Sequence, residues 1–104
     1  MTTFDDREQA FERKFVLDED QKFRAMARRN RKLGQWAAER LGKTGDEAAE
    51  YAKTVVQADF AEAGEDDVFR KVRADLDSSV SDAEIRNAMQ RLLEEAASEI
   101  KAGP

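Results

Sequence analysis

The only proline of this 104-residue chain is its last residue, Pro104. Every earlier position can therefore take its place in a helix without losing a backbone donor or clashing with the turn before it. No stretch alternates apolar and polar residues between turn signals, as a half-buried strand would. The chain is instead rich in Ala, Glu, Lys, Arg, Leu and Gln, all strong helix formers. These features predict an all-α fold, with boundaries set by capping residues.

Asp18 reads as an N-cap with Gln21 three residues on, the spacing of a capping box. The helix after it predicts an apolar face of Phe23, Met26, Ala27, Leu33, Gly34, Ala37 and Leu41, and Gly42 ends it. Thr44 and Glu47 predict a second capping box. Ala48, Tyr51, Ala52, Val55, Val56 and Ala63 then form a face, with Phe60 at its flank, Asp59 near its middle and Gly64 as the stop. A third, short helix begins in "EDDVFRKVRADL", where the acidic first turn suits the positive end of the helix dipole. Val68, Phe69, Val72 and Leu76 are its stripe. Ser81 and Glu84 cap the last helix, and Val80 and Ile85 occupy the two positions of a hydrophobic staple. Ile85, Ala88, Met89, Leu92, Leu93, Ala96 and Ile100 line its inner face. Connections at 42–44, 64–66 and 77–81 are short enough to favour antiparallel neighbours. Residues 18–104 thus predict a small four-helix bundle.

Residues 1–17 are surplus to that bundle. In "MTTFDDREQAFERKF" the spacing of Phe4, Phe11 and Phe15 is i, i+7, i+11, one face if the segment is helical. Isolated helices this short are marginal in water. The expectation is a mobile or partly helical N-terminal arm. Its aromatic face either completes the core as a fifth short helix or waits for a partner groove.

Charge divides the chain. Residues 1–20 carry three cationic and seven anionic side chains, residues 21–43 eight and one, and residues 44–77 four and ten, within a net charge of −5. The densest basic run is "ARRNRK". At 100° per residue, Arg24, Arg28, Arg31, Lys32 and Gln35 are expected on the side opposite the core, with Arg29 and Arg40 on another flank. Such a surface either meets phosphates or is a solvated face neutralised by the acidic helices beside it. Trp36, next to it, would either stack on a base or cover the bundle edge. Asp59 either faces a ligand or pairs within the bundle, since an unpaired buried carboxylate is costly.

The chain has no histidine and no cysteine. That removes the commonest general base and metal ligand, the thiolate nucleophile and any disulfide. There is no glycine-rich phosphate loop and no G-x-S-x-G elbow. A metal site and a conventional active site are therefore not expected, and no cofactor is required. No apolar run approaches a membrane span and no secretory signal is visible, so a cytoplasmic protein without membrane insertion, monomeric when free, is the expectation.

The segments "FDDRE", "FRAMARRN", "LGQWAAE", "ADFAEAG" and "RKVRADLD" occur here in an order that resembles the zeta subunit of the alphaproteobacterial F-type ATP synthase, over essentially the whole chain. The resemblance implies a four-helix bundle that inhibits ATP hydrolysis without catalysing a reaction. Its N-terminal segment would enter a catalytic interface between the alpha and beta subunits, near gamma, and wedge against reverse rotation. The bundle would dock on the outside, peripheral to the inner membrane. Mapped here, Phe4, Phe11 and Phe15 become apolar anchors, and Arg7, Glu8, Glu12, Arg13 and Lys14 become register-setting contacts. The resemblance also implies ADP or ATP binding. On physical grounds that ligand is placed at Arg24, Arg28, Arg31, Lys32 and Trp36. The mitochondrial inhibitor protein, a different fold with the same role, uses histidine for pH control. A chain without histidine excludes that switch. The alternative is a helical module using the basic face for nucleic acid, against which the acidic net charge speaks.

Overall fold

The computed structural model describes residues 16–61 and 65–103, with the side chains of 59–61 and 65–66 left aside. Among the described residues four helices follow one another: α1 over Glu19–Arg40, α2 over Gly45–Ala61, α3 over Glu65–Asp75 and α4 over Asp82–Ala102. There is no strand among the described residues. The all-α expectation and the four-helix count hold. Asp59, Phe60, Ala63 and Gly64 fall outside the described side chains, as does the proposed arm up to Phe15.

Capping fixes the starts of the two long helices. The Asp18 carboxylate accepts from the Gln21 backbone N–H at 2.7 Å, and the Gln21 side chain accepts from the Asp18 N–H at 3.1 Å. Ser81 and Glu84 form the same reciprocal pair. The helices end where glycine relieves backbone strain: Gly42 has φ +75° and Gly103 has φ +127°. These satisfy or release backbone groups that the helix itself leaves without partners.

α1 lies at the centre, packed on α2 and on α4, and α3 closes the other side against both α2 and α4. Stepping back four residues on α1, from Lys32 to Arg28, steps forward four on α4, from Glu95 to Glu99, so these two run antiparallel. The core joins Leu33, Ala37, Ala38, Tyr51, Val55, Val68, Phe69, Val72, Leu76, Ile85, Ala88, Met89 and Leu92. A satellite of Ala25, Leu93 and Ala97 sits at the other end of the α1–α4 seam, with Leu17, Met26 and Ile100 packed around it. Removing about 25 cal/mol per Å² of apolar surface from water at these positions is the main stabilising term.

Arg73 ties the α3–α4 turn. Its guanidinium donates to the carbonyls of Leu76, Asp77 and Val80 and to the Asp82 carboxylate at 2.8 Å. Across the α2–α3 contact, the Tyr51 hydroxyl donates to Asp75 at 2.8 Å. Burial, and then that carboxylate, push the phenol well above its usual range.

α1 and α2 approach closely at Gly34. A Cβ placed there would stand 2.5 Å from the Ala52 Cα and 2.9 Å from its Cβ. The nearer obstacle is backbone, so it cannot rotate away. Gly34→Ala gains about 1 kcal/mol of helix propensity, yet forcing the two helices apart costs more, about 1–3 kcal/mol. The expected net result is a lower melting temperature, and Ala52→Gly does not restore it, because the Ala52 Cα remains. A rise in melting temperature for Gly34→Ala would contradict this packing.

Two expectations for α1 are corrected. Phe23 is 60% exposed rather than in the core. It shares an azimuth with buried Gly34, but the Gly34–Ala52 register carries it past Ala61, the end of α2. Arg29 is not on an outer flank but fully buried.

Candidate functional site

The basic run was expected to form one outward face, and the structure splits it three ways. Arg28 and Lys32 point toward α4. Arg28 Nη1 lies 3.1 Å from Glu99 Oε1, and Lys32 Nζ lies 2.7 Å from Glu95 Oε1 and 2.9 Å from Glu99 Oε2. Arg24 pairs along its own helix with Asp20 at 3.1 Å and is largely exposed. Arg31 is exposed on that same outer side. Trp36 is half-buried one turn beyond Lys32 on the α4-facing side, packed against the main core. Of the five residues proposed for a nucleotide, Arg28, Lys32 and Trp36 thus share one side of α1, and Arg24 and Arg31 stand apart on the outer side.

The cause is the width of the buried arc on α1. A helix with two neighbours buries well over half of its circumference at about 100° per residue. Ala25, Arg29, Asn30, Leu33, Gly34, Ala37 and Ala38 are all buried. Arg28 and Lys32 border that arc on the α4 side, where Glu95 and Glu99 recur at i, i+4.

Arg29 is the departure from simple patterning. It and Asn30 are fully buried, and Arg29 Nε donates to Asn30 Oδ1 at 2.7 Å. The Asn30 amide nitrogen has no acceptor among the described residues. The signal was present in the sequence: Arg29 stands four residues from both Ala25 and Leu33, so it shares their face.

The ion-pair ladder sets its own pKa values. Hydrogen bonds from Lys32 first, then Arg28, hold the Glu99 carboxyl below its ordinary range. Glu95, then Glu99, raise the Lys32 ammonium above its ordinary value. The Ser79 hydroxyl and then its backbone N–H lower Asp77 in the α3–α4 turn. Stability linked to Glu99 and Asp77 is complete above the ordinary carboxylate range and is lost as pH falls through their lowered values. Stability linked to Lys32 is complete below the ordinary lysine value and is lost only as pH rises through its raised one. With no histidine to titrate between, the melting temperature is expected to be flat from about pH 6 to 9 and to fall below about pH 4. Glu99→Gln should flatten part of the acid limb, read by thermal melts across pH. A steep change near pH 6.5 would contradict the assignment.

Among the described residues, no group of carboxylates is arranged to hold a metal ion, and no helix is long and apolar enough to cross a membrane. Arg7, Glu8, Glu12, Arg13, Lys14 and the three phenylalanines of the arm lie outside the described residues.

Comparison with known proteins speaks to the whole chain. A search of curated proteins finds no match. The family model for ATPase inhibitor subunit zeta matches residues 1–99. That span takes in the arm, the α1–α4 ladder and all but the last turn of α4, and it agrees with the resemblance carried by the sequence segments. The chain belongs to the ATPase inhibitor subunit zeta family.

Proposed function

We propose that this protein inhibits ATP hydrolysis by the F-type ATP synthase, with residues 1–17 as the inhibitory arm and the bundle from residue 18 as its support. The arm enters a catalytic interface of alpha and beta beside gamma and blocks rotation in the hydrolytic direction. Phe4, Phe11 and Phe15 are its anchors, and Arg7, Glu8, Glu12, Arg13 and Lys14 set its register. No step of this function requires catalysis by the chain itself. The protein would act on the cytoplasmic face of the membrane, held there through the synthase.

The observation that carries this reading is the self-sufficiency of the bundle. The four helices bury a continuous core from Leu33 to Leu92 among residues that all follow the arm. Three aromatic rings are left over from it in the sequence. A second observation supports the boundary. Val16 has φ +50°, a conformation that β-branched residues rarely adopt, and the Asp18 cap follows two residues later. The chain turns there before α1 begins. Burying each ring in a partner groove is worth about 1.5–3 kcal/mol, which offsets an ordering cost of about 2–5 kcal/mol. Deleting residues 1–17 is expected to abolish inhibition of the purified enzyme.

ADP or ATP belongs to this proposal as a regulatory ligand rather than a substrate. Amide shifts on adding ADP locate it. The nucleic-acid reading is weakened by geometry, because Arg28 and Lys32, two of its four cations, are already matched by Glu95 and Glu99.

A further inference from the structure

The α1–α4 seam is electrically closed at one end and open at the other. Toward its satellite cluster, Arg28 and Lys32 are met by Glu99 and Glu95. One turn further along α1 the pattern reverses. A groove of about 370 Å³ opens there, lined by Trp36 and Arg40 from α1 and by Glu84, Asn87, Ala88 and Arg91 from α4. The α4 residues recur at i, i+3, i+4 and i+7, so they form one face. The groove exists because Ala88, buried to 3% exposure, offers only a methyl group beneath it. Arg40 lies 3.9 Å over the Trp36 ring and donates from Nη1 to the Trp36 carbonyl at 3.1 Å, which fixes its guanidinium at the rim. Arg91 is exposed and has no ion pair among the described residues. Glu84 is the one anion in the lining, and its carboxylate serves the Ser81 cap.

We infer that this groove is a second docking surface, distinct from the arm, for an acidic protein segment on the outside of the same ATPase. The partner's identity rests on the inhibitory reading; the chemistry rests on the groove. Two guanidiniums beside an indole are the residue types that dominate protein interfaces, and their free charge calls for carboxylates. A site for a small molecule encloses most of its ligand. This groove is open to solvent along one side, which suits a surface segment better than a nucleotide. The neighbouring α4 N-terminus carries Asp82 and Glu84 in its first turn and its Ser81 cap, negative charge that disfavours a phosphate there. The groove also lies about 27 Å from Asp18 along α1, taking 1.5 Å per residue. Contact there would tether the bundle at one end while the arm engages at the other, raising the arm's effective concentration.

The test is binding of the full-length protein to the purified ATPase across salt concentrations, with Arg91→Glu and Arg40→Glu beside wild type. Arg91→Glu should leave the melting temperature unchanged, weaken affinity about 10-fold and make its salt dependence shallower. Arg40→Glu should weaken affinity similarly. Inhibition at saturating protein should survive in both, because the arm is intact. Wild-type binding with unchanged affinity and salt dependence for Arg91→Glu overturns this inference alone. Wild-type protein that does not bind the ATPase overturns the inhibitory reading and this inference with it. Trp36 is the only tryptophan. If its fluorescence responds to ADP, and Arg91→Glu removes that response without changing ATPase affinity, the groove is a nucleotide site and the inference fails.

Discussion

Arg29→Ala is expected to destabilise the protein by about 3–5 kcal/mol, the range for truncating a large buried side chain and leaving a buried polar atom without its partner. The side chain is fully buried, and its Nε holds Asn30 Oδ1 at 2.7 Å. Truncation leaves a cavity the length of the arginine stem and a buried amide oxygen without its donor. For a domain of this size each kcal/mol moves the melting temperature by about 4–8 °C, so the loss should exceed 10 °C. Arg29→Met keeps the stem and should cost less than Arg29→Ala. The contrast with an outer-flank position is sharp, because a surface substitution usually stays within about 0.5 kcal/mol. A melt of Arg29→Ala that matches wild type would place Arg29 in solvent and contradict the fold of α1.

That residue also marks where the sequence stops being readable. The capping boxes at Asp18 and Ser81 were legible because they depend on a few neighbouring residues and on backbone geometry alone. The stripes of α3 and α4 were legible for a related reason. Each is narrow enough that Val68, Phe69, Val72 and Leu76, or Ile85, Ala88, Met89, Leu92, Leu93 and Ala96, define one face without ambiguity, and all are buried. α1 was read as if it had one neighbour. It has two, and its buried arc therefore takes in Arg29 and Asn30 and reaches the rim where Arg28 and Lys32 stand. Hydrophobic periodicity counts apolar residues, so a buried arginine subtracts from the very signal that would reveal it. Phe23 failed in the opposite sense: its azimuth was right, but α1 overruns α2, and only the register at Gly34 and Ala52 shows that. The groove at Trp36 needed the tertiary structure, because Arg91 is 55 positions away in sequence and reaches Trp36 only through the antiparallel pairing of α1 with α4.

Loss of inhibition on removing residues 1–17 is the second large effect expected. The buried core residues lie between Ala25 and Ala97, and the deleted segment contributes only Leu17, partly buried at the edge of the satellite cluster. The truncated protein should therefore keep its helical signal and its cooperative melt. The cap at Asp18 is retained, so α1 still begins correctly. Three phenylalanines placed in a partner groove represent about 4–9 kcal/mol of gross apolar burial before ordering costs. Even a few kcal/mol of net loss lowers affinity by more than 100-fold. The bundle, with its ion-pair ladder intact, should still associate weakly through its own surface, which separates docking from inhibition.

The most direct measurement is the rate of ATP hydrolysis by the purified F-type enzyme, titrated with the full-length protein and with the protein lacking residues 1–17. The account predicts that the full-length protein suppresses hydrolysis and that the folded truncation leaves the rate at its uninhibited value across the same concentrations. Equal inhibition by both forms would contradict the assignment of the arm, and no inhibition by either would contradict the proposed function itself.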